Sequence, residues 1–196
     1  MKNLLFSIFA LTFLVSFKSD EVKPAKDYLG VGKSLMFNEH EFHLTWSGNP
    51  SVGYYKQEYL LDSTTIENYN EMLLIEAIKG NISPELAANA KVAELQQLKE
   101  DNPTINWNVY EGNGEIIIDF VITDKATIYE WNLYRYAILK DVNKQKYLVL
   151  RAYSFKDKLY SNDDLKPFFN KILENRDDYI AKLGKLELPK LNVSGN

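Results

Sequence analysis

Three groups of residues in this chain have types and spacings that could do chemistry. The first is Gly32-Lys33-Ser34, which has the form of the close of a phosphate-binding loop. Such a loop needs another glycine five positions earlier, a buried strand before it and a helix after it. Bare backbone N–H groups can then curl around phosphate. Position 27 is Asp27, whose charge would oppose phosphate, and the residues before it, SDEVKPAK, are polar and carry Pro24. No nucleotide site is expected.

The second group is His40 and His43, flanked by Glu39 and Glu41. Imidazoles and carboxylates are metal ligands, but residues three apart on a strand point to opposite faces. The segment Phe42-His43-Leu44-Thr45-Trp46 alternates as a half-buried strand does. No metal centre and no cofactor are expected.

The third group is Asp119, Arg135 and Arg151, spaced so that two hairpins could bring them into one cross-strand row. That register would set 119 opposite 135 and 135 opposite 151. Trp131, Tyr147, Tyr153 and Phe155 share the arginines' faces. A guanidinium presents a planar fork to carboxylate or phosphate, and flat aromatics supply apolar contact. These seven residues are the candidate ligand-binding set, suited to a small anionic or amphipathic molecule. Tyr54 and Tyr55, beside a glycine-containing turn, are a further recognition candidate. No catalytic residue is assigned: the chain has no Cys, no Gly-x-Ser-x-Gly elbow supplies a nucleophile, and no spacing singles out a carboxylate pair.

The elements that must hold these residues follow from periodicity. Residues 41–46 and 54–61 read as two strands joined through the turn cluster SGNPSVG. Thr64 to Glu67 has the spacing of a capping box, and apolar residues from Ile66 to Ala77 predict a helix ending near Gly80. Ser83-Pro84-Glu85 starts a second helix, running to about Lys99. Four strands follow, over 105–110, 115–123, 129–140 and 146–155, with connections short enough for an antiparallel meander. A last helix begins near Ser161 or Asn162 and stops at Gly184.

The expected fold is therefore α+β: an antiparallel sheet of an N-terminal hairpin plus a four-strand meander, packed by two central helices and a C-terminal helix. Over roughly residues 40–183 this order resembles the fold of the photosystem-associated PsbP proteins, Mog1 and the periplasmic DcrB-type proteins. The resemblance implies an accessory or binding role rather than an enzymatic one, and it carries no site residue.

The division expected is a signal peptide over 1–19, a polar lead-in over 20–38, one domain over 39–184 and a peripheral tail over 185–196. Lys2 followed by an apolar run from Leu4 to Phe17 has the form of an export signal and is short for a membrane span. Its removal takes away Lys2 and Lys18 and no acid, leaving 21 basic against 27 acidic residues, a formal −6. Phosphate backbones need a basic surface, so nucleic acid is not an expected partner. No membrane span is expected after cleavage, and with no Cys a lipid-modified cysteine is excluded. The expected function is an exported, periplasmic or secreted, non-enzymatic binding or accessory protein. Its partner is a small anionic ligand or an envelope protein. A carboxylate-dependent hydrolase of envelope carbohydrate and a structural or partner-docking protein are the alternatives.

Overall fold

The computed structural model describes residues 24–62, 64–124 and 127–193. The expected signal peptide, residues 20–23 of the lead-in, and part of the turn at 124–127 lie outside the described residues.

The described residues form one antiparallel sheet of eight strands: β1 (Ser34–Phe37), β2 (His40–Ser51), β3 (Tyr54–Leu60), β4 (Glu71–Lys79), β5 (Asn106–Gly112), β6 (Glu115–Thr123), β7 (Ile128–Lys140) and β8 (Lys146–Lys158). Two helices complete it, α1 (Pro84–Asp101) and α2 (Asn162–Lys185). The strand order is β1-β2-β3-β4-β8-β7-β6-β5, so two four-stranded meanders join where β4 pairs with β8. The α+β antiparallel architecture is as expected.

Two elements differ. Residues expected in the polar lead-in form the edge strand β1, which pairs with β2. The segment expected to be the first central helix is a turn followed by β4. Met72-Leu73-Leu74-Ile75 is a continuous apolar run, and both of its faces are buried at the centre of the sheet. Such a run satisfies helical and strand spacing alike. The capping residues serve a turn instead: Thr65 donates its N–H to Asn68 Oδ1 at 2.7 Å. The first hairpin is also tighter than expected, because β2 continues through Pro50 to a turn at Val52-Gly53, with Gly53 at φ +78°. Pro50 is tolerated where β2 has run past its pairing with β1, which ends at Ser34–His43.

Each helix takes one face. Ser83 caps α1, accepting the Leu86 N–H at 3.2 Å. The helix sets Ala87, Ala88 and Leu95 against Ile116, Ile118, Phe120, Tyr136 and Leu148. On the other face Phe168, Ile172 and Leu183 of α2 cover Trp131, Leu133, Tyr153 and Phe155. The tail is not peripheral: Leu191 is 1% exposed, and Asn192 donates its N–H to Leu29 O at 2.8 Å. Leu29 of the lead-in is itself fully buried.

Candidate functional site

The loop that resembled a phosphate cradle is filled by its own side chain. Asp27 accepts the N–H groups of Val31 at 3.3 Å and Gly32 at 2.8 Å, and Gln57 Nε2 at 3.1 Å. Gly30 and Gly32, at φ +65° and +105°, let the chain close around that carboxylate. His40 and His43 diverge: His40 Nδ1 lies 3.9 Å from Glu71, and His43 Nε2 lies 3.3 Å from Asp62.

Asp119, Arg135 and Arg151 do share a face, as do Trp131, Tyr147, Tyr153 and Phe155, and Arg135 stands directly opposite Arg151. Asp119 is displaced by two residues from the expected register, opposite Leu133, while Ile117 faces Arg135. The face is not open to solvent. Helix α2 and the tail cover it, leaving each arginine 5% exposed and Asp119 4%. Arg135 Nε pairs with Glu115 at 2.7 Å, and its Nη1 donates to the carbonyls of Leu183 and Leu186, each at 2.7 Å. Arg151 Nη1 donates to Glu187 O at 2.8 Å. The guanidinium forks thus hold the C-terminal end of α2, where exposed carbonyls and the helix dipole favour a cation. Burial first, and Arg135 beside it second, press the Arg151 pKa down to about 10, so it stays charged at neutral pH. Asp119 accepts from the Trp131 indole N–H and from Arg176 of α2, each at 2.5 Å.

The seven candidates also span too far for one small ligand. Tyr147 and Phe155 lie eight residues apart on β8, about 26 Å at 3.3 Å per residue. Tyr147 closes one end, opposite Lys79 and Leu139. Trp131, Tyr153 and Phe155 gather at the other, around a cavity of about 10 Å³ with Lys171, Ile172, Asn175 and Tyr179. Of the second recognition candidate, Tyr55 packs against Tyr28 with ring centroids 6.0 Å apart, and Tyr54 donates to Glu76.

Next to that small cavity an open cleft of about 400 Å³ runs between the N-terminal half of α2 and the ends of β4 and β8. Its apolar wall is Phe155, Leu159, Pro167 and Phe168; its rim carries Asn70, Glu71, Asp157, Lys158, Asp164 and Lys171. Phe155 and Phe168 stack at 5.6 Å and 17°, and Lys171 Nζ sits 3.8 Å over the Phe155 ring. Glu71 accepts the Tyr153 hydroxyl at 3.0 Å. Asp164 Oδ2 accepts the Tyr160 and Ser161 N–H groups and the Ser161 hydroxyl, at 3.0, 2.9 and 3.0 Å. Those bonds, the Tyr160 amide foremost, hold the Asp164 carboxyl below its ordinary range.

Of the residues chosen from sequence only Phe155 lines this cleft. Glu71 was hidden by the helical reading of its segment. Lys158 and Lys171 flank it from elements that were expected, but nothing in a linear pattern says that the end of β8 meets the third turn of α2.

A model of an uncharacterised family matches residues 29–188. The chain belongs to that family. The family segment takes in all eight strands, both helices, and Glu187, whose carbonyl meets Arg151. Neither the curated proteins nor the solved structures contain a match to the chain.

The other sheet face holds a different polar group. Lys56 Nζ lies 2.9 Å from Glu58 and 4.0 Å from Glu76, and Tyr54 donates to Glu76 at 3.1 Å. Burial raises the carboxyl pKa of Glu76 and of Glu130. No described helix is long and apolar enough to cross a membrane.

Proposed function

We propose that the protein is an exported, non-enzymatic binding or accessory module that holds a small amphipathic ligand in the cleft beneath the N-terminal half of α2. The observation carrying this reading is the cleft's construction: aromatic and aliphatic side chains on one wall, charged side chains on the rim. That division suits a molecule with an apolar body and a polar head. Export is supported by Lys2 and the apolar run after it, and the element-order resemblance to PsbP- and DcrB-type accessory proteins points the same way. The raised carboxylates are a weaker basis for hydrolysis, since Glu76 is 7% exposed and already engaged by Tyr54 and Lys56.

Titration with octyl glucoside tests the binding reading. Asn70→Trp, which places an indole at the cleft mouth, should weaken binding at least tenfold while leaving the melting temperature within a few degrees. Equal affinity in both proteins would move the ligand elsewhere.

A second reading rests on β5. This seven-residue strand ends the sheet, its residues other than Trp107 are exposed, and it contains neither Lys nor Pro to discourage pairing. Such an edge suits strand addition by an envelope protein partner.

A further inference from the structure

Resting on the reading of β5 as an open edge, and independent of the cleft, we infer that the strand's partner is a second copy of this chain. The two β5 strands pair antiparallel about a twofold axis through Val109. The hairpin turn decides which backbone groups face outward. Asn113 and Gly114 have φ of +54° and +74°, a two-residue turn that closes on the pair Gly112 and Glu115. Hydrogen-bonded pairs recur at every second position from there, so Tyr110, Asn108 and Asn106 also turn their backbone groups to β6. Trp107, Val109 and Glu111 turn theirs away from the sheet. Against its own copy this edge uses all three residues in one register only: Val109 meets Val109, and each Trp107 meets the other chain's Glu111.

Charge favours that same register. Glu111 is the one charged side chain of β5, and among the described residues no cation lies within ion-pair distance of it. Trp107 lies beneath Lys99 of α1, whose Nζ is 5.2 Å from the ring centre and donates to Asn106 Oδ1 at 3.4 Å. Lys99 likewise has no carboxylate within that distance among the described residues. Each Glu111 therefore arrives beside the Lys99 of the other copy, and the twofold axis makes the contact twice. Val109, 41% exposed, is covered by its counterpart. Sliding the copies until Glu111 meets Glu111 sets like charges opposite and leaves a single hydrogen-bonded pair. The far edge of the sheet is a poorer match. β1 has four residues, and its turn at Asn38 and Glu39, with φ of +48° and +68°, leaves only Ser34 and Met36 facing outward. A contact from β5 to β1 would also be open-ended, whereas β5 against itself closes.

Sedimentation of the full chain and of two charge reversals tests this. Glu111→Lys sets lysine against Lys99, and Lys99→Glu sets glutamate against Glu111. Each variant alone is expected to self-associate about tenfold more weakly than the unaltered chain, or weaker still. An equal mixture of the two variants restores both ion pairs and should dimerise nearly as well as the unaltered chain. Hydrogen exchange at the Trp107, Val109 and Glu111 amides should slow as the dimer forms. A monomer at every concentration, or an association unchanged by the reversals, overturns the inference. Fast exchange at those three amides in the monomer would still leave β5 an open edge for another chain. Slow exchange there would overturn the open-edge reading as well.

Discussion

Arg135 and Arg151 stand directly opposite each other on β7 and β8, two buried cations side by side beneath α2. Like charges in that position repel, and here each is turned outward to the carbonyls that end the helix. They are unequally supported. Arg135 has Glu115 and two carbonyls, whereas Arg151 has one carbonyl and a buried Nε without an acceptor among the described residues.

The asymmetry predicts different costs of removal. Arg135→Met strands Glu115 and two helix-end carbonyls and should cost about 3 kcal/mol, near the low end for breaking a buried pair. That is a fall in melting temperature of roughly 6–12 °C for a chain of this size. Arg151→Met keeps the apolar stem, relieves the repulsion, and should change stability by less than about 1 kcal/mol. Equal losses, measured by thermal and urea denaturation, would contradict the assignment of Arg135 as the principal clasp.

Glu76 predicts a pH dependence. Burial keeps its carboxyl protonated above the ordinary value of 4.5, against the opposing pull of Lys56. The folded chain therefore holds this proton more tightly than the unfolded chain does. The stability it brings is complete below about 4.5 and declines as pH rises through the raised folded value. Glu76→Gln should flatten the fall in melting temperature between pH 4.5 and 7, leaving a residual slope from Glu130, which is raised in the same sense. An unaltered slope would mean that Glu76 titrates as it does in the unfolded chain.

Gly30 joins the lead-in to the tail. It sits at φ +65°, and a Cβ there would come within 2.8 Å of Asn192 Cβ and 2.9 Å of its carbonyl oxygen. Gly30→Ala should cost more than about 1 kcal/mol and expose residues 186–193 to protease before the rest of the domain. Limited proteolysis followed by mass measurement reads this directly; an uncut tail would show that Leu191 alone anchors it.

The β5 edge makes its own prediction. Val109 is 41% exposed at the middle of the strand. Val109→Lys should change stability by less than about 0.5 kcal/mol and abolish any concentration-dependent association seen in sedimentation. Association that persists would place the contact elsewhere.

Much of this fold is legible in the linear pattern, because β5 to β8 are rich in β-branched and aromatic residues and are joined by short turn-like connections. The segment at β4 is not, since a central strand buried on both faces loses its alternation, and Ile66, Leu73 and Leu74 then satisfy a helix as well. The common face of Asp119, Arg135 and Arg151 is legible for the same reason the meander is. Its coverage is not: whether α2 lies over Arg151 or over Ala152 depends on which side the chain takes after Tyr160. The cleft depends on that same choice.

The most direct test of the account is to locate the ligand. Amide shifts of isotope-labelled protein titrated with octyl glucoside should move at Asn70, at 157–159 and at 168–171, with little change along β5 or at Glu76. Shifts confined to β5, or spread evenly over the surface, would contradict the claim that the space between α2 and the end of the sheet is the binding site.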